Sequence, residues 1–346
     1  MTKRKIVLVC PGRGTYNASE LGYLHRYHGK NLSQLQTIES LRRSIGQTSL
    51  LKLDQAKHFD LDLHTKGENA AALIYACAYL DFLAIDQNQF EVVAITGNSM
   101  GWYLALAFGQ SLNENAAALL INTMGSMLKD HLMGGQIIYP LYQDNWQLDE
   151  KIKKDVFDLI DQTNQQPGHE CSPSIYFGNF LVIGGNELAM KFLLKTLPPK
   201  ENRYPMLLKN NGPFHTLLCR EISHKAKELL PVSLFSNPKT PLIDGQGQLW
   251  HPKSTSLPKL WDYTLGHQVT RPYDFTLALS LSLKEFAPDH LVLLGPGSTM
   301  GGAIGQTLVQ LKWRGVNTKS DFIKQQKDNP FLISTGIDHQ RSLILR

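Results

Sequence analysis

Residues 95–106 read ITGNSMGWYLAL, and this stretch sets the reading of the whole chain. Gly97-Asn98-Ser99-Met100-Gly101 fits G-x-S-x-G, the pattern that holds a serine on a sharp turn between a strand and a helix. The flanks agree with that geometry. FEVVAITG, residues 90–97, is a short apolar run rich in β-branched residues, and the residues after Gly101 favour a helix. Glycines flank such a serine because the turn is crowded and strained. The main-chain N–H that follows the serine, here that of Met100, is the first oxyanion donor in an elbow of this kind. The same pentapeptide also suits an ordinary strand-to-helix turn whose serine caps the helix.

Outward from the elbow the pattern is α/β. KIVLVC, residues 5–10, is a buried strand that stops at the turn PGRG, and residues 17–60 read as helices and loops. ENAAALIYACAYLDFLAI, 68–85, lacks Gly and Pro and is apolar on most faces, which predicts a buried helix. A further helix starts at SLNE, where Ser111 and Glu114 match a capping box. From residue 135 to 208 a block of short strands and two helices resembles a small ferredoxin-like subdomain inserted in a larger one. The larger unit resumes with GPFHTLLCREISHKAKELL and ends with HLVLLGPG and TMGGAIGQTLVQL. The expected organisation is an α/β-hydrolase-like large domain with a parallel sheet over 1–134 and 209–318, the inserted subdomain over 135–208, and a polar tail over 319–346.

Composition narrows the classes of function. The 346 residues are enough to bury a sizeable core, and 42% of them are hydrophobic and 19% charged, as in ordinary globular proteins. No apolar run approaches the length of a membrane span, and the basic N-terminus runs straight into a glycine turn, so a first strand is expected there in preference to a signal peptide. Cys10, Cys77, Cys171 and Cys219 have no metal-ligand spacing and read as reduced thiols in a cytoplasmic protein. The net charge of +5 suits acidic or phosphate-bearing partners, without the basic-aromatic stripe that nucleic acid needs. Neither a metal nor a permanently bound cofactor is expected.

A serine hydroxyl needs a base to take its proton and donors to hold the oxyanion. The chain has 12 histidines. His215 follows NNGPF at the start of a helical segment, where the helix N-terminus would keep an imidazole neutral. That context places His215 ahead of His131, His267 and His290 without excluding them.

Several segments, in order, resemble the malonyl-CoA:acyl carrier protein transacylases and the acyltransferase domains of fatty-acid and polyketide synthases. VCPGRGTYN is similar to the F-P-G-Q-G-S-Q start of that family, and TGNSMGWYLAL to its G-H-S-L-G-E-Y-x-A-L elbow. TMGSMLK falls where R-G-x-x-M-Q lies, GPFHTLL matches P-x-H-x-x-x-M, QVTRPYDF matches Q-L-x-x-P-V-x-W, and LLGPGSTMGG resembles E-V-G-P-G-x-x-L. The resemblance spans residues 5–310. It implies that Ser99 is the nucleophile and His215 the base, that the N–H groups of Met100 and Arg13 form the oxyanion hole, and that the main-chain carbonyl of Gln268 orients the histidine. The implied reaction moves an acyl group from acyl-CoA to Ser99 and on to the phosphopantetheine thiol of an acyl carrier protein.

Departures from the pattern bear on the substrate. The family arginine that pairs with the free carboxylate of a malonyl group falls on Met124. A thioether cannot make the charge-assisted contact of a guanidinium, and an unpaired buried carboxylate costs roughly 3–5 kcal/mol, about a hundredfold or more in discrimination. The acyl group expected on this ground lacks a free carboxylate, unless Arg13, which stands where the family has glutamine, reaches it from the other side. Asn98 and Trp102 replace the elbow histidine and acid, and with Met124 they are expected to shape the acyl pocket; Tyr176 and Phe177 are expected near it. The alternatives are a hydrolase of the same fold that clears acyl chains from carrier proteins, an inactive module that binds a carrier protein, and, more distantly, an α/β-hydrolase esterase.

Overall fold

The computed structural model describes residues 2–127 and 134–346. His131 and the end of TMGSMLK lie outside the described residues. Among the described residues the fold is α/β with two sheets. The main sheet runs in the order β11 (Leu332–Ser334), β10 (His290–Leu293), β1 (Arg4–Cys10), β2 (Phe90–Gly97), β7 (Leu242–Ile243) and β8 (Leu249–Trp250). Neighbours pair in parallel from β11 to β7, and β8 closes the edge as an antiparallel hairpin. β1 lies inside the sheet and is buried from Ile6 to Cys10, which is why its sequence is a continuous apolar run and not an alternating one. The apolar segment after Lys66 forms the helix Gly67–Leu83, which packs against the helix Glu114–Ser126 beside the elbow.

The second sheet runs β6 (Met206–Leu207), β3 (Gly135–Pro140), β5 (Phe180–Gly185), β4 (Cys171–Phe177) and β9 (Tyr273–Asp274). Its first four strands pair antiparallel, while β9 joins β4 in parallel from a distant part of the chain. The helices Glu150–Asn164 and Glu187–Thr196 cover a separate core of Ile137, Leu181, Ile183, Val156 and Leu193. Asn186 caps the second helix by accepting from Ala189 N–H.

Two expectations are corrected. The helix Glu114–Ser126 is capped by Asn113, whose side chain accepts from Ala116 N–H at 2.9 Å, and not by a Ser111–Glu114 box. Asn113 is the residue directly before the helix, so its short side chain reaches a free N–H of the first turn, and Ser111 stands too far back along the chain to do so. The stretch 319–346 is no loose tail. It forms a helix, Lys319–Asp328, the edge strand β11 and a short helix, Asp338–Arg341. Arg341 donates to the buried Asp81 at 2.8 Å, and Asp81 also meets His28 at 2.7 Å. Among the described residues no helix is long and apolar enough to cross a membrane.

Candidate active site

β2 ends at Gly97 and the next helix runs Gly101–Phe108, so Ser99 sits on the turn between them. Its φ of +54° is the left-handed backbone an elbow requires and a side chain disfavours. The flanking glycines are forced by contact. A Cβ on Gly97 would lie 2.4 Å from the Gly101 carbonyl, and one on Gly101 would lie 2.3 Å from Cys10 O. The turn is locked by Gly101 N–H donating to Asn98 O at 2.8 Å and Trp102 N–H to Ser99 O at 2.9 Å.

His215 comes to Ser99 from across the chain. Its Nε2 accepts from Ser99 Oγ–H at 2.7 Å, and its Nδ1–H donates to the Gln268 carbonyl at 2.5 Å. A carbonyl only accepts, so Nδ1 carries the proton and Nε2 is the free base facing the serine. His215 also has a left-handed φ, +61°, and its N–H donates to Val269 O at 2.8 Å. Burial is the main reason its pKa falls to about 4, against the opposing pull of the Gln268 carbonyl. The helix terminus is thus secondary: His215 precedes a single tight turn, Leu217–Cys219, ahead of the helix Arg220–Leu229. His267 and His290 are placed elsewhere, His267 stacked on Tyr263 and His290 against Pro330 O.

Gln268 does more than accept from the His215 ring. It follows a π-helical turn, Tyr263–His267, an irregularity that recurs at functional sites. Its side-chain Nε2–H donates to Ser99 O at 3.1 Å, and its Oε1 accepts from Tyr103 O–H at 2.9 Å. One residue therefore holds both the Ser99 main chain and the His215 imidazole. Tyr273 adds a further brace, its O–H donating to Gly97 O at 2.7 Å and its ring lying 5.6 Å from that of His215. Neither tyrosine nor the glutamine side chain carries a sequence signal, because their roles depend on segments far apart in the chain.

Ser99, His215 and Gln268 open on a cleft whose other walls are Arg13, Ala71, Met100, Tyr103, Ile121, Met124, Gly125 and Phe214. Met124 is one of these walls. Trp102 is not: it is fully buried behind the elbow, with Nε1–H donating to Thr264 Oγ1 at 3.0 Å. The helix periodicity explains this, since Met100 and Tyr103 share one face and Trp102 is turned away from it. Asn98 is also outside the cleft wall. The turn that aims Ser99 forward sends Asn98 back against the 11–12 loop, its Nδ2 3.0 Å from where a Gly12 Cβ would stand. Tyr176 and Phe177 belong to β4, with Phe177 packed on Phe275, and do not line the cleft.

Arg13 is part of the same cleft lining as Met124. Its Nη2 donates to Thr65 O at 3.0 Å and Asn210 O at 2.7 Å, while its Nε is buried without a partner. Among the described residues, the main-chain N–H groups of Met100 and Arg13 donate to no protein acceptor, leaving both available beside the serine. The four cysteines are free and buried.

This arrangement, a serine elbow after a parallel strand with a histidine held by a main-chain carbonyl, belongs to a fold found among solved acyltransferases. The chain has the fold of the malonyl-CoA:acyl carrier protein transacylases. It aligns with such an enzyme from Xanthomonas oryzae pv. oryzae at a TM-score of 0.74 and 17% identity, covering 99% of this chain and 98% of that one. An acyl-carrier-protein S-malonyltransferase from Burkholderia pseudomallei gives 0.74 and 16%, with 98% of each chain covered. A malonyl-transacylase in complex with its type II PKS acyl-carrier protein gives 0.73 and 17%, with 99% of each covered. No protein-family model and no curated protein matches the chain.

Proposed function

We propose that the protein is an acyltransferase that carries an acyl group on Ser99 from coenzyme A to the phosphopantetheine thiol of an acyl carrier protein. The observation that supports it most is the relay Ser99 Oγ–H to His215 Nε2, with His215 Nδ1–H donating to Gln268 O. In the first half-reaction Ser99 Oγ attacks the thioester carbon as its proton passes to His215 Nε2. The oxyanion sits against the N–H groups of Met100 and Arg13. Collapse breaks the C–S bond, and the departing CoA sulfur takes the proton back from His215. In the second half-reaction His215 takes the proton of the carrier's thiol, whose sulfur attacks the Ser99 ester and releases the serine. The relay needs no carboxylate as its third member, because the Gln268 carbonyl already holds the tautomer.

The carrier protein as acceptor is supported by the solved complex of that fold with its acyl-carrier protein. Intact mass after mixing with acyl-CoA tests the reading. The expected result is a stoichiometric acyl adduct that Ser99→Ala abolishes and that holo acyl carrier protein discharges onto its own thiol. Discharge by water as fast as by the carrier would make the protein a hydrolase of the same fold. A folded protein that no acyl-CoA modifies would be a binding module.

A further inference from the structure

Arg13 stands between two glycines, in Gly12-Arg13-Gly14, so the backbone on either side of it is of the most permissive kind. The Gly12 side is braced, because a Cβ there would lie 2.7 Å from Asn98 O. The Gly14 side is not: its φ is +88°, and a Cβ there would meet open space. Beyond Gly12, Arg13 is held by its own side chain. Nη2 has two hydrogens, and they go to Thr65 O at 3.0 Å and Asn210 O at 2.7 Å. Thr65 is followed by Lys66 and the helix Gly67–Leu83, which is buried over most of its length. Asn210 opens the stretch Asn210-Asn211-Gly212-Pro213-Phe214 that leads to His215, and its φ of +56° is left-handed. Asn210 Nδ2–H donates to Thr65 Oγ1 at 2.6 Å, which closes the three residues into a ring. Hydrogen bonds from a guanidinium are charge-assisted and stronger than those between neutral groups.

We propose that Arg13 is a positioning residue through its side chain: one guanidinium nitrogen registers the loop that carries the second oxyanion N–H against the segment that leads to His215. The proposal rests on the transferase reading, in which Arg13 N–H receives the oxyanion, and adds what holds that N–H in place. The first donor, Met100 N–H, needs no such device. The glycine contacts and the hydrogen bonds of Gly101 and Trp102 already lock the elbow. The second donor lies on another segment and the base on a third, so their alignment is only as good as the contacts between segments. The Nη2 bonds supply that contact from the very residue that bears the donor. Both Nη2 hydrogens are committed to main-chain carbonyls, while Nε–H is buried with no acceptor. The pose is therefore set by the two carbonyls and not by full satisfaction of the guanidinium.

The test uses p-nitrophenyl acetate, a neutral ester with neither the phosphates of coenzyme A nor a free carboxylate. Release of p-nitrophenolate, with Ser99→Ala as the blank, gives the rate of Ser99 acetylation, and urea unfolding checks that each variant folds. Arg13→Met keeps an apolar stem and removes the donors. It should lower the rate between about tenfold and a hundredfold, the loss expected when an oxyanion donor shifts by about an ångström. Arg13→Lys keeps the charge and a donor, and should recover part of that loss. Arg13→Gln, too short to span both carbonyls, replaces the methionine variant should that one not fold. An unchanged rate in the folded variant overturns the proposal even where loading from acyl-CoA falls, because the guanidinium then serves the donor and not the oxyanion. Failure of both variants to fold also overturns it, and makes Arg13 a residue of the fold alone. A wild type that the ester leaves untouched while acyl-CoA loads Ser99 overturns it too, since a site already registered in the free protein needs no coenzyme A. A wild type in which neither reagent modifies Ser99 overturns the transferase reading, and the proposal falls with it.

Discussion

Acid is expected to act on this protein through His215, and the effect can be isolated with His215→Gln. His215 is 1% exposed, and burial draws its pKa from 6.5 to about 4. Between those values the unfolded chain binds a proton that the folded chain refuses. The histidine's contribution is therefore complete above pH 6.5 and is lost as the pH falls toward 4. The gap between 6.5 and about 4 corresponds to roughly 3 kcal/mol. The wild-type curve alone conceals this, because Asp244 works the other way. Burial raises its carboxyl to about 6, so the folded chain takes its proton first and gains stability as the pH falls below 6. Subtracting the stability of His215→Gln from that of the wild type cancels Asp244. Urea unfolding at intervals from pH 7 to pH 4 should show this difference shrinking by about 3 kcal/mol toward acid. Parallel curves would mean that the folded protein accommodates an imidazolium at the site, and the assignment of a buried neutral base would be wrong.

Other perturbations address the supports of the site. Gln268→Met keeps the carbonyl that orients His215 but strands the Tyr103 hydroxyl, at a cost of about 1–3 kcal/mol in urea unfolding. Adding Tyr103→Phe should recover part of that cost, and strict additivity of the two changes would show that their bond contributes nothing. Gly101→Ala drives a methyl to 2.3 Å from Cys10 O, a main-chain atom that cannot swing aside. A loss of about 1–3 kcal/mol together with loss of Ser99 acylation is expected, and a fully active variant would contradict the elbow geometry. Arg341→Ala leaves Asp81 buried with His28, Tyr23 and Thr335 as its remaining partners, and should lower stability by about 3 kcal/mol without abolishing Ser99 acylation.

The features legible in the sequence are those that depend on short stretches of chain. The elbow, the buried helix after Lys66 and the strand at residues 5–10 are each written in contiguous residues, so pattern and turn chemistry suffice for them. The edge strand β11 is hidden because three residues are too few to show a period, and its place depends on β10 and on the Arg341–Asp81 contact. Asn98 and Trp102 are misread along the chain for a related reason. Neighbours of a serine on a turn point in different directions, and adjacency in sequence says nothing about which face of the cleft they join. His215 illustrates the limit from the other side. Its local context favours it only through a helix terminus, while burial, a left-handed φ and the Gln268 carbonyl determine its state. Arg13 extends the same point to charge. Read along the chain, the loss of an arginine at Met124 removes a charge; read in space, Arg13 brings a guanidinium to the lining of the same cleft. An electrostatic requirement is met by any residue that can bring the charge to the right place, so a substitution at one position has meaning only beside the groups that face it.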